Sequence, residues 1–471
     1  MPENWSTSSV DLHLDAATVA GRRSGLERAL RDAIRSGRLA PHTRLPSTRA
    51  LAADLGISRG TVSAAFDQLV AEGYLTARQG SGTTVSELAA GHPAMQEPPP
   101  AAARPRHDLS PGKPDVSRFP AGAWLRSAKR ALSSARAEVY DYGEPNGRIE
   151  LRTVLADYLA RVRGVLAAPD QIVVTSGYVQ ALALLARVLR ASGTTTIAME
   201  DPGLDFHRDV VTRSGLTVAP LPVDEGGARP DAVPGRAGAV VLTPAHQYPT
   251  GVILRPSRRH ALAEWARRTG GLIIEDDYDG EFRYDRQPVG AMQGMAPGHV
   301  AYVGSAAKTL APGLRLAWMV LPHHLGGPIV EAKRHDDHQS AVIEQLTLAD
   351  FIASHGYDKH IRACRLHYRR RRDLLIARLA TGPVLPGLTV GGVAAGLQAL
   401  ASLPPGGPTE DAVLARAAQH GLAVGGLSGL WHQPGEHRQG LLIGFAAPTE
   451  RGYPPALETL ARVLHATSRS G

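Results

Sequence analysis

The chain holds only five lysines, Lys113, Lys129, Lys308, Lys333 and Lys359, so chemistry that needs a primary amine has few candidates. One of them has a distinctive setting. Lys308 lies in GSAAKTLAPGLRLAW, directly after the apolar run HVAYVG, and such a run reads as a strand that ends at a ligand cleft. An amine there can form a Schiff base with a carbonyl ligand. Arg315, further along the same segment, has the fork geometry that suits a phosphate, and Ser305, just before the lysine, can add a hydroxyl. In VTSGYVQALALL a strand turns through Gly177 into a helix whose free N–H groups at Tyr178 and Val179 face an anion. At the end of GLIIEDD, Asp276 is placed to keep a pyridine nitrogen protonated, and Tyr278 to hydrogen-bond a ring oxygen. Amine, carboxylate, phenol and anion seat are together what pyridoxal 5'-phosphate requires, so this cofactor is expected, with binding roles for these residues and a catalytic role for none.

A second chemistry is written near the N-terminus, where ten arginines precede residue 90 and three short helices are expected. SGLERALRDAIRS sets Leu26, Leu30, Ala33 and Ile34 on one helical face; Ser47 caps STRALAADLG, and Ser58 caps SRGTVSAAFDQLVAEG. YLTARQGSGTTVS then alternates as a hairpin turning at Gln79 to Gly82. Helix, helix-turn-helix and wing in that order describe a double-stranded DNA reader, with Ser58, Arg59, Thr61 and Ser63 early in the helix that enters the major groove.

The elements that must position these residues divide the chain. A tail (1–20) precedes a winged helix-turn-helix (21–86), and ELAAGHPAMQEPPPAAARPRH reads as a Pro/Ala-rich linker (87–108). Beyond it, the strand-like runs QIVVTSG, TTTIAME, GAVVLTP, GLIIEDD and HVAYVGS alternate with helical segments, which is the pattern of an α/β fold with a parallel-rich sheet. This large domain is expected over 109–335, followed by a smaller α+β domain over 336–471. With 43% apolar and 20% charged residues the composition is globular. No run is long enough to span a bilayer and the N-terminus lacks a signal-peptide pattern, so a cytoplasmic protein without membrane contact is expected. The single cysteine, Cys364, reads as packing. No metal is expected: His323, His324, His335 and His338 lack ligand spacing, and of the acid run Glu275, Asp276, Asp277, Asp279 and Glu281 all but Asp276 are read as solvent-facing.

The segment RLPSTRALAADLGISRGTVSAAFDQLVAEGYLTARQGSGT resembles the GntR family of winged helix-turn-helix regulators, a likeness that implies DNA contacts by Arg44, Ser47, Arg49, Arg59, Thr61, Arg78 and Gly80. YDYGEPNGRIELRTVLADYL, TSGYVQAL, EDPG, TPAHQYPTG, EDDYDGEFRYD and SAAKTLAPGLRL resemble the fold type I aminotransferases, and the whole chain is similar to the MocR family with its GabR-like members. That resemblance implies a homodimer in which each DNA-binding module reaches over the partner's large domain and Tyr142 contacts the phosphate of the neighbouring subunit's cofactor. It sets Tyr248 where aminotransferases carry an asparagine that touches the cofactor's ring oxygen. Three departures stand out. Leu204 follows EDPG where the family has a ring-stacking tyrosine, leaving Leu204 or Phe206 to cover the ring; Gly177-Tyr178-Val179-Gln180 replaces Gly-Ser/Thr-Gln-Gln; and QGLLIGFA lacks the late-strand arginine that holds an amino acid's carboxylate, Arg438 being the nearest. The function implied is a transcription regulator, not an enzyme, that senses pyridoxal phosphate or a small amine or amino acid through an aldimine at Lys308. The alternative is an active aminotransferase with an auxiliary DNA-binding domain.

Overall fold

The computed structural model describes residues 23–78, 82–87, 105–284, 289–381, 384–392 and 394–467, and the chain divides into two compact units, Met1–Ala103 and Arg104–Gly471. Each is built around its own core.

In the first unit three helices, α1 (Arg23–Arg35), α2 (Thr48–Leu55) and α3 (Arg59–Ala71), precede a hairpin of β1 (Leu75–Arg78) and β2 (Gly82–Val85). Leu26, Leu30 and Ile34 repeat at helical spacing on α1 and meet Leu51 of α2, Val62, Phe66 and Leu69 of α3, and Leu75 and Val85 of the hairpin. The caps fall where the residue types place them. Ser47 Oγ accepts from Ala50 N at 3.2 Å and Ser58 Oγ from Thr61 N at 3.1 Å, while Gly56 ends α2 at φ 63°, a left-handed conformation that costs glycine little. The hairpin is wider than expected. Segment 42–45 also pairs with β2, through His42 N to Val85 O and Leu45 N to Thr83 O, both at 2.9 Å.

The second unit begins with the short strand β3 (His107–Asp108) and is layered around an eight-stranded sheet. That sheet comprises β4 (Ile172–Thr175), β5 (Thr196–Asp201), β6 (Thr217–Asp224), β7 (Gly227–Ala228), β8 (Ala237–Leu242), β9 (Leu272–Asp277), β10 (Val300–Ser305) and β11 (Ala317–Val320). Its strand order is β4-β11-β10-β9-β8-β5-β6-β7. The run β10-β9-β8-β5-β6 is parallel, and β11, unforeseen in the sequence, is antiparallel to both its neighbours. Alternate residues feed opposite cores: Val173, Ile197, Val241, Ile274 and Val303 pack with the helix Tyr178–Ala191 on one face. On the other, Val174, Tyr302 and Trp318 belong to one cluster and Val240 and Ile273 to a second. Burial on both faces explains why these strands are continuously apolar in sequence.

The smaller lobe is an antiparallel sheet, Thr389–Gly391, Gln398–Ser402, Gly440–Gly444 and Gly425–Gly426 in spatial order, backed by helices Glu410–Gln419 and Tyr453–Thr467. Two borders differ from the sequence reading. The strand β3, expected at the end of the linker, pairs with Leu422–Ala423, and helix Val342–Ala353, expected in the smaller domain, buries Leu348, Phe351 and Ile352 in a core of the large sheet. Helix Gly356–Thr381 then bridges the lobes, with Tyr357 and Ile361 in the large lobe's core and Tyr368 and Leu375 in the smaller one's. Cys364 is buried in the latter cluster. Among the described residues no helix is long and apolar enough to cross a membrane.

Candidate cofactor cleft and DNA-binding face

The carboxyl ends of β5, β8, β9 and β10 border a cavity of about 450 Å³, lined among others by Gly177, Tyr178, Val179, Tyr248, Asp276, Tyr278, Ser305, Lys308 and Arg315. Nine of the ten residues expected to hold the cofactor therefore share one cleft at the strand ends. Tyr142 does not. It is 81% exposed, its ring 4.9 Å from that of His338, and it lines no part of its own chain's cleft.

Lys308 follows β10 in a short turn, and its Nζ donates to Gly112 O at 2.6 Å, on the segment that leads away from β3. Burial pushes its amine below the ordinary lysine range, against the pull of Asp279 and Asp276. Asp276, last but one in β9, is 8% exposed, and burial followed by the charge of Asp277 pushes its carboxyl well up. A carboxyl so placed is short of a cation, which a pyridinium would supply. Ser305 Oγ accepts from Ala307 N at 3.0 Å and so shapes the turn that carries Lys308.

Arg315 adopts φ 53°, a left-handed conformation unusual for arginine, and its guanidinium lies over Gly177. A Cβ on Gly177 would stand 3.1 Å from Arg315 Nη1, so the missing side chain is what lets backbone and guanidinium converge. That convergence, at the N-terminus of helix Tyr178–Ala191, has the donor chemistry of a phosphate seat.

Tyr278 faces His246, Oη to Nδ1 at 3.1 Å, and His246 Nδ1 pairs with Asp279 Oδ2 at 2.8 Å. Sequence reasoning missed His246; its signal was a histidine after the strand GAVVLTP. It also missed His207 and Arg208, which line the cleft from helix Asp205–Arg213. His207 is pushed down to about 4 by burial and by the charge of Lys308, and its ring lies 4.7 Å from that of Tyr178. Arg208 Nη1 donates to Gly203 O and Leu430 O at 2.7 and 3.1 Å. Of the two expected ring covers, Phe206 is 57% exposed and outside the cleft, whereas Leu204 lines it. Arg438 is exposed and also outside.

The acid run is not solvent-facing. Glu275, Asp277, Asp279 and Glu281 are all buried because each has partners: Glu275 accepts from Met292 N and Gln293 N, Asp277 from Arg163 and Tyr302, Asp279 pairs with His246, and Glu281 accepts from Tyr158 Oη at 3.3 Å. Among the described residues no three metal-ligating side chains form a group that could hold an ion.

On the first unit, Arg44, Arg49, Arg59 and Arg78 are exposed, with Arg59 and Thr61 in the first turn of α3. The guanidinium of Arg44 lies beside Gly82 of the wing, where a Cβ would come within 3.1 Å of its Nε. Ser47 and Ser58 are engaged as caps, and Ser58 Oγ also meets Thr61 Oγ1 at 2.8 Å. Gly80 lies outside the described residues.

Comparison with known proteins assigns both units. Residues 22–85 match the family described as bacterial regulatory proteins, gntR family, and residues 107–427 match aminotransferase class I and II. A probable rhizopine catabolism regulatory protein MocR of Rhizobium meliloti is 34% identical, covering 94% of this chain and 93% of its own. A pyridoxine biosynthesis transcriptional regulator, PdxR of Corynebacterium glutamicum, is 32% identical, covering 90% and 92%. Among solved structures, an archaeal alanine:glyoxylate aminotransferase superposes with a TM-score of 0.70 at 23% identity, over 78% of this chain and 92% of that one, a likeness of fold.

Proposed function

The chain belongs to the MocR type of GntR-family transcription regulators, a DNA-binding module fused to an aminotransferase-like domain, and from that premise we propose that it binds pyridoxal phosphate in the Lys308 cleft and couples that binding to its hold on operator DNA. The observation that carries this reading is the convergence of one buried amine, one buried carboxyl and one phosphate seat on a single cavity. Pyridoxal phosphate supplies an aldehyde that an amine can capture, a basic ring nitrogen and a dianionic phosphate. Each meets a counterpart. Lys308, its amine driven toward the neutral form by burial, is the residue to capture the aldehyde. Asp276 would hold the ring nitrogen's proton and Tyr278, fixed by His246 and Asp279, the ring oxygen. Arg315, Ser305 and the N–H groups after Gly177 would hold the phosphate.

The regulator reading is favoured over a working aminotransferase by the strand Gly440–Gly444, which offers a buried aliphatic surface and no arginine to seat a substrate carboxylate. Both full-length relatives carry the names of regulators. Arg208 and Lys113 also line the cleft, Arg208 held by two backbone carbonyls and Lys113 by Asp108 at 3.0 Å. The working form is a homodimer. Leu125, Ile149 and Ile343 are exposed on helices that pack together, which supports burial against a second copy, and Tyr142, 81% exposed beside His338, is accessible to the partner's phosphate.

The test is a titration of the purified full-length protein with pyridoxal phosphate, following visible absorbance and operator affinity together. Lys308→Ala abolishes the absorbance band and the cofactor's effect on operator affinity. Equal operator affinity with and without cofactor, amines present or absent, rejects the sensor reading and favours the aminotransferase.

A further inference from the structure

Neither residue expected to cover the cofactor ring is built for it. Phe206 lies outside the cleft, and Leu204 packs against Leu400, Leu427, Leu430 and Leu442 of the smaller lobe. We propose that Tyr178 is the aromatic cover of the ring, its phenol lying along one face of the bound cofactor with His207 backing it. The proposal rests on the pyridoxal phosphate reading and assigns Tyr178 a side-chain role beyond the backbone N–H it gives to the phosphate seat.

Tyr178 starts at the phosphate end. Its Cα follows Gly177, over which the Arg315 guanidinium lies. Its hydroxyl is at the other end, fully buried, close enough to Asp276 to feel its charge and without a hydrogen bond of ordinary geometry. The side chain thus runs from the phosphate seat to the carboxyl that awaits the ring nitrogen, the same two points that the cofactor must join. A flat ring between those points lies beside the cofactor ring or in its place. It lies beside it, because the cavity of about 450 Å³ is what remains with Tyr178 where it stands, and that cavity is still lined by Lys308, Asp276, Ser305 and Arg315. The phenol already has one aromatic neighbour. His207 stands 4.7 Å away, its plane tilted by 42°, and is neutral at physiological pH because burial and Lys308 push it down to about 4. A neutral imidazole beside an electron-rich phenol adds no charge that would repel an electron-poor pyridinium brought against that phenol. The hydroxyl's poor geometry has the same explanation, since a buried polar group that meets its one neighbour, Asp276, outside ordinary hydrogen-bond geometry in a ligand-binding cleft is one that binding rearranges.

The experiment compares full-length wild type, Tyr178→Phe and Tyr178→Thr by pyridoxal phosphate titration and by the visible circular dichroism of the bound cofactor. Tyr178→Phe keeps the ring, and its affinity stays within about threefold of wild type. Tyr178→Thr loses the stacking and binds about tenfold more weakly with an altered dichroic band. Operator binding without cofactor serves as the control for folding of the DNA module, and far-ultraviolet dichroism for the rest. Wild type that binds while Tyr178→Thr binds as tightly, with the same dichroic band, overturns the cover. Equal losses in Tyr178→Phe and Tyr178→Thr overturn it too, by assigning the role to the hydroxyl. Wild type that fails to bind pyridoxal phosphate overturns the cofactor reading first, before any variant is compared.

Discussion

Gly177→Ala is the substitution that tests the phosphate seat most directly. Gly177 has φ 121° and ψ 167°, a region that residues with a Cβ scarcely enter, so alanine there costs about 1–3 kcal/mol of stability through backbone strain. The steric consequence is separate. The new methyl would sit 3.1 to 3.3 Å from three atoms of the Arg315 guanidinium, which must shift by a few tenths of an ångström away from the turn and so off the phosphate's line. Charge-assisted hydrogen bonds contribute about 1.5–3 kcal/mol each, so loss of one phosphate contact weakens pyridoxal phosphate roughly ten- to a hundredfold. Gly193→Ala separates the two effects. Gly193 has φ 94° and no atom within 4 Å of where a Cβ would stand, so alanine there strains the backbone without reaching the cleft. Titration of both variants, followed by visible absorbance, gives a weakened Gly177→Ala and an unchanged Gly193→Ala. If Gly177→Ala binds as wild type while Arg315→Ala does not, the guanidinium reaches the phosphate from elsewhere and the convergence over Gly177 is irrelevant.

Three further outcomes concern other parts of the molecule. Arg59→Ala relaxes discrimination between operator and random DNA by about 1–3 kcal/mol, as expected for an exposed arginine in the first turn of the groove helix, whereas Arg44→Ala, beside the wing, weakens both alike and lowers the salt slope by about one; a filter-binding series in salt distinguishes them. Arg163→Met leaves Asp277 buried without its partners at 2.6 and 3.0 Å and destabilises the second unit by about 3–5 kcal/mol. Denaturation followed by tryptophan fluorescence reads it, since Trp124, Trp265, Trp318 and Trp431 lie in that unit. Glu200 is raised by burial from 4.5 to about 7, so its share of stability is complete below pH 4.5 and is lost as pH rises through 7, by about 3 kcal/mol. Glu200→Gln removes that slope from urea midpoints measured between pH 4.5 and 7.5, and an unchanged slope assigns the titration to another buried acid.

What the sequence disclosed was local, and what it hid depended on distant partners. Ser47, Gly56 and Ser58 mark helix ends because a cap is satisfied within a few residues, and the continuous apolar runs mark strands buried on both faces. Lys308, Asp276 and Arg315 were legible because each stands at or near a strand end, and strand ends meet at one cleft. The ten arginines did not by themselves mark a basic module, since residues 1–103 also hold ten carboxylates and the chain's excess of +8 lies wholly beyond them. The DNA face depends on which arginines stand free, not on their number. The acid run misled for a related reason: exposure was inferred from charge, whereas Arg163, His246 and the N–H groups of Met292 and Gln293 lie up to 114 residues away in sequence and make burial possible. His207 and Arg208 were illegible because a helix face carries no mark of which cleft it borders until the sheet order is known. Tyr178 combines both conditions. Its place at the turn was readable from Gly177, and its side chain's course toward Asp276 was not, because Asp276 stands on β9, separated from β4 in the sheet by β11 and β10. The departure from Gly-Ser/Thr-Gln-Gln at the phosphate turn thus sets, in three dimensions, a ring whose hydroxyl feels the charge of Asp276.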